Sequence, residues 1–149
     1  MHKLKPAFTL IELLVVIAIA ATLLSITFVA YSNTKEKSLD KKRKDEIKAV
    51  VQALLSAKLN DGFYKEDIYD GTLAPDFIDK IPKDPELDEN YIYTPQPVGC
   101  NNTSVLCTSF TLIACLDNAS DSNKDASLAT ECTQDPYNTP ASYTLNSPQ

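Results

Sequence analysis

Phe8-Thr9-Leu10-Ile11-Glu12-Leu13-Leu14-Val15-Val16-Ile17-Ala18-Ile19-Ala20-Ala21-Thr22-Leu23-Leu24-Ser25-Ile26-Thr27-Phe28-Val29-Ala30-Tyr31 decides the architecture of this chain. Between residues 6 and 34 the only charge is that of Glu12. As a helix rising about 1.5 Å per residue, residues 13–31 reach roughly 28 Å, the thickness of a bilayer's hydrocarbon core. Thr22, Ser25 and Thr27 are tolerable in such a segment, because a helix can bond their hydroxyls back to its own carbonyls. A secretory signal peptide is the alternative. Its apolar region usually runs about 7–15 residues and ends at a small-x-small cut site before polar sequence. This run is longer and continues into helical sequence, so residues 13–31 are expected to span a membrane.

Beyond the run, residues 35–46 hold no proline or glycine and mix Glu with Lys at short spacing, as an exposed helix does. Ile47, Val50, Val51, Leu54, Leu55 and Leu59 then recur at helical spacing, with Lys48, Gln52 and Lys58 on the other side. One long helix is therefore expected over residues 8–59. Asn60-Asp61-Gly62 should stop it, with Gly62 taking the left-handed cap.

Composition removes most enzyme classes. Among 149 residues histidine occurs once, at His2, so beyond the second residue no imidazole is available for a Ser-His-Asp triad, a Cys-His dyad or a His-rich metal site. The three glycines, Gly62, Gly71 and Gly99, are too scattered for a phosphate-cradling loop. A net charge of -6 argues against nucleic-acid binding through bulk positive charge. No enzymatic activity is expected.

The residues that open the apolar run are the most specific in the chain. They read Lys3-Leu4-Lys5-Pro6-Ala7-Phe8-Thr9-Leu10-Ile11-Glu12. A short basic leader, a small residue, then Phe-Thr-Leu-Ile-Glu heading an apolar helix resembles the prepilin signature of type IV pilins and type II secretion pseudopilins. The resemblance implies cleavage by a membrane peptidase between Ala7 and Phe8 and N-methylation of Phe8; Ala7 stands where the family usually has glycine. It also implies that Glu12 sets subunit register during assembly. Physical chemistry agrees: a carboxylate at the edge of a transmembrane helix costs a few kcal/mol, so it needs a partner. Cleavage would create an α-amine four residues away, and between staggered helices the two could form a direct salt bridge.

Orientation has two conflicting signals. The leader's Lys3 and Lys5 fit a cytoplasmic N-terminus, whereas residues 35–48 carry a net charge of +3 and would favour the opposite by the positive-inside rule. Cysteine usage decides between them. Cys100, Cys107, Cys115 and Cys132 lie together in the loop-rich C-terminal half, without the close CxxC pairs of a zinc ribbon. Disulfides need an oxidising space, which puts the C-terminal part outside the cytoplasm.

Residues 90–94 and 108–116 alternate or cluster β-branched and aromatic residues, as a half-buried antiparallel pair would, and residues 141–145 offer a third strand. Cys100 and Cys107 would flank the first hairpin's turn, and Cys115 would tie its second strand to Cys132. Of the three pairings four cysteines allow, that is the one expected. Ile81-Pro82-Lys83-Asp84-Pro85 followed by Tyr91-Ile92-Tyr93 resembles the Pro-x-Asp-Pro and Tyr-x-Tyr region of major pseudopilins. That group commonly holds calcium in a loop of its sheet. Here Asp117, Asp121, Asn123 and Asp125 form a weak calcium candidate: the one-apart spacing of Asp121, Asn123 and Asp125 begins many calcium loops, but Ala126 stands where glycine is needed and no Glu closes the loop. The basic cluster Lys41-Lys42-Arg43-Lys44, flanked by Asp40, Asp45 and Glu46, is expected to be a solvated face or a neighbour of lipid headgroups rather than a DNA contact.

The expected organisation is α+β, a pilin fold. Residues 1–7 form a leader, 8–34 a transmembrane and filament-core helix, 35–62 its amphipathic continuation, and 63–149 an extracytoplasmic, disulfide-bearing sheet head. The expected function is that of a structural subunit of a type IV pilus-like filament. The alternatives are a major pseudopilin of type II secretion and a minor pilin that binds DNA or a surface. Expected partners are the chain itself as a homopolymer, a prepilin peptidase, an inner-membrane assembly platform, and membrane lipid before assembly.

Overall fold

The computed structural model describes residues 8–148 and, within the first helix, only the backbone of residues 26–30. Helix α1 runs Leu10–Asp61, starting two residues later and ending two later than the sequence predicts. Its start has a local cause: Thr9 accepts the Glu12 amide at 3.3 Å while Glu12 accepts the Thr9 amide at 2.9 Å. This reciprocal capping box satisfies donors that a first turn leaves open and keeps Phe8 and Thr9 out of the helix. Its end is the expected one. Gly62 adopts φ +87° and donates to the Lys58 carbonyl at 2.8 Å.

The chain divides into two compact units, Met1–Lys35 and Glu36–Gln149. In the first, the described side chains are all exposed. Thr22 and Ser25 donate to the Ile19 and Thr22 carbonyls, both at 2.8 Å, which is how a helix in an apolar setting hides hydroxyls. The Thr27 side chain lies outside the described residues, as does part of the expected span, which takes in 26–30. Among the described residues no helix is long and apolar enough to cross a membrane.

In the second unit, α1 buries Ile47, Val50, Ala53, Leu54 and Ala57. The predicted stripe is corrected at its end: Val51 and Leu55 are half-buried, and Leu59 is 89% exposed. At about 100° per residue Leu59 stands well round the helix from Leu54, and two small alanines allow the close approach instead. Against this stripe lies a three-stranded antiparallel sheet in the order β1-β2-β3, formed by Ile92–Gln96, Ser109–Leu116 and Ala141–Asn146.

Central β2 is buried on both faces, and its alternation divides the core in two. Phe110, Leu112 and Ala114 face the α1 stripe together with Tyr64, Ile68, Leu73 and Tyr91. Ile113 and Cys115 face away and are covered by Cys132, Ala129 and Tyr137 around a short 3-10 turn at Thr130–Thr133. Pro95 sits on edge strand β1, where a missing amide donor costs no ladder bond on its open side. Two disulfides complete the unit. Cys100–Cys107 closes the loop between β1 and β2, and Cys115–Cys132 ties β2 to the turn behind it.

Candidate functional sites: the N-terminal motif and the helix-borne charge cluster

At the head of α1, the Glu12 carboxylate is held by its own chain. Besides the Thr9 amide it accepts the Thr9 hydroxyl at 2.7 Å. Phe8, Ile11, Glu12, Val15 and Val16 line a shallow hollow of about 350 Å³ on one side of the helix. All but Glu12 are apolar, so the motif presents one carboxylate set in a hydrocarbon surface. Ala7 and the leader lie outside the described residues.

The basic cluster at residues 41–44 departs from its expected role. Lys41 and Lys42 are exposed, but Arg43, the only arginine of the chain, is 1% exposed. Its guanidinium donates to Asp84 Oδ2 at 2.7 Å and Oδ1 at 3.3 Å, to Asp40 Oδ1 at 2.8 Å and to Asp117 Oδ2 at 2.5 Å. Burial alone would lower its pKa, yet the bonds to Asp84 and Asp117 outweigh burial and raise it. Asp84 is likewise penalised by burial, but Arg43 and the Leu87 and Glu86 amides hold its carboxyl below the usual range. Asp40 is closed off by the amides of Asp117 and Asn118, at 3.0 and 2.8 Å. One side chain of α1 thus gathers the 84–89 loop and the end of β2. Nearby, Tyr91 donates to Glu46 at 2.5 Å, pinning the same loop to the helix one turn further on.

The four residues read as a weak calcium candidate are not brought to one point. Asp117 turns to Arg43, and Asp121 to Lys44 Nζ at 2.6 Å. Asp125 accepts the Ser142 and Thr144 hydroxyls, both at 2.7 Å, and the Thr144 amide at 3.0 Å. Asn123 accepts the Ser122 hydroxyl at 2.8 Å. All four cysteines are paired.

Compared with known protein families, residues 3–28 match the prokaryotic N-terminal methylation motif. The chain carries the type IV pilin and pseudopilin signature. The matched span takes in Lys3, Lys5, Ala7, Phe8, Glu12 and the first part of α1, and residues 29–149 lie beyond it. No curated protein and no solved structure matches the chain.

Reasoning from the sequence missed Arg43, Asp40 and Asp84 as a unit. One signal was present: a lone arginine amid lysines, three residues after an aspartate. The planar guanidinium spreads five donors in a rigid fork that suits several carboxylates at once, and the compact ammonium of lysine does not reproduce that geometry.

Proposed function

We propose that the chain is a structural subunit of a type IV pilus-like filament. A prepilin peptidase cuts it between Ala7 and Phe8 and methylates Phe8, and it polymerises through the N-terminal half of α1. The observation that carries this reading is the part of α1 inside the matched motif, where the side chains of residues 13–24 are exposed and, Thr22 apart, apolar, with a single carboxylate, Glu12, at its head. Such a surface is stable only when something apolar covers it, first lipid and then the same helix of sibling subunits. In lipid the subunit waits with its N-terminus cytoplasmic and its disulfide-bearing sheet outside. The absence of histidine beyond His2 supports a structural rather than an enzymatic role.

A pseudopilin of type II secretion is a second reading, favoured by one contact set. The loop and tyrosines that resemble that group are the ones docked on α1, through Asp84 to Arg43 and Tyr91 to Glu46. The test of the shared reading is the intact mass of subunits from sheared filaments. Phe8 is expected as the N-terminus with one added methyl, and the net charge should move from -6 to -8 as Lys3 and Lys5 leave. Filaments built from chains that retain Met1 would refute processing at this bond.

A further inference from the structure

The loop at residues 117–125 is rich in hard oxygen donors that the filament role does not use. Cations that offset the charge of an acidic loop help it hold its shape, and a calcium ion does so with six to eight oxygens converging at about 2.3–2.6 Å. Here the carboxylates point apart. Asp117 and Asp121 face α1, and Asp125 faces β3. The Lys44–Asp121 pair is largely shielded, with side chains 15% and 12% exposed. The remaining oxygen of Asp121 accepts the Asn123 amide at 2.8 Å, so both its oxygens are in use. Lys124 closes the loop on itself by donating to the Ala119 carbonyl at 2.7 Å.

We propose that Arg43 and Lys44 are the resident cations of this loop: two side chains of α1 hold Asp117 and Asp121, two of the three carboxylates a divalent ion would need, and the loop is ordered without metal. Two consequences follow from the geometry. The loop owes its order to the register of α1, since residues 40, 43 and 44 all reach it. An ion could enter only by displacing Lys44 and turning Asp125 away from Ser142 and Thr144, so calcium gains no preformed site.

The inference is independent of whether the chain forms filaments, and it is tested on the full chain in detergent micelles. After chelator treatment, millimolar calcium should leave Tm unchanged to within about 1 °C; a site of micromolar Kd in thousandfold excess would raise it by roughly 10 °C. Lys44→Met should speed hydrogen exchange of the 117–125 amides about tenfold, while Lys42→Met, an exposed control on the same helix, should leave them unchanged. Calcium-dependent stabilisation of the native chain would overturn the proposal. Unchanged exchange of the loop in a folded Lys44→Met chain would overturn it equally.

Discussion

Replacing Arg43 by methionine tests the largest electrostatic commitment of the structure. The change keeps most of the aliphatic stem and deletes the guanidinium. That removes four charge-assisted hydrogen bonds of 2.5 to 3.3 Å and leaves Asp40 and Asp84 buried without a cation. Each such bond contributes about 1.5–3 kcal/mol net, but bonds sharing one donor group do not add. Breaking a buried pair by deleting one member costs about 3–5 kcal/mol. For a unit of this size that corresponds to a loss of roughly 10–20 °C in Tm. The sign of the pH dependence should also change. In the native chain Asp84 titrates below its unfolded value, so its contribution is present above about pH 4 and fades as acid protonates it. In the variant, burial without the guanidinium raises the same carboxyl, so the deficit appears as pH climbs above about 4 and shrinks in acid. Arg43→Lys should fall between the two, because a compact ammonium lacks the fork of donors that reaches Asp40, Asp84 and Asp117 together. The assay is thermal unfolding of the full chain in detergent across pH 3 to 8. A Tm within about 4 °C of native at neutral pH, or an unchanged pH slope, would show that the cluster is held by its backbone donors and not by Arg43.

Glu12→Gln should keep the capping box, since the amide oxygen still accepts from Thr9, yet abolish filaments when it is the only copy expressed, because a docking subunit would bury the Phe8 amine unpaired at a cost of about 3–5 kcal/mol. Filaments of normal abundance from that variant, counted by shearing and electron microscopy, would refute the salt-bridge account. Non-reducing peptide mapping of secreted material should find Cys100–Cys107 and Cys115–Cys132 with no alkylatable thiol; four free thiols would sink both the disulfides and the orientation argued from them.

The long helix, its Gly62 stop and the three strands were legible because each rests on local chemistry: apolar period, a left-handed cap, alternation in β2. The capping box is written there too, as Thr9 three residues before Glu12 at the head of an apolar run, so one carboxylate serves the helix start as well as the expected assembly role. The Arg43 cluster was not legible. Its members are separated by 41 and 74 residues, and although Asp84 and Asp117 each stand in a stretch the sequence singles out, nothing local pairs either of them with Arg43. The same holds for the polar loop. Donor spacing along the chain suggests an ion, whereas Arg43 and Lys44 of α1 and Ser142 and Thr144 of β3 decide where each oxygen turns.

The two disulfides lie wholly on the sheet side of the second unit, since α1 carries no cysteine. Under mechanical load they divide the molecule unequally. Pulling on the sheet meets covalent resistance at the hairpin loop and at the back of β2. Pulling the sheet away from α1 meets the apolar stripe and the charged contacts of Asp40, Arg43, Lys44 and Glu46, none of them covalent. Tension passed from helix to sheet therefore concentrates on those contacts. A chain strained to failure should part there first, shedding its helix while the disulfide-braced sheet stays closed, and close again without any thiol chemistry.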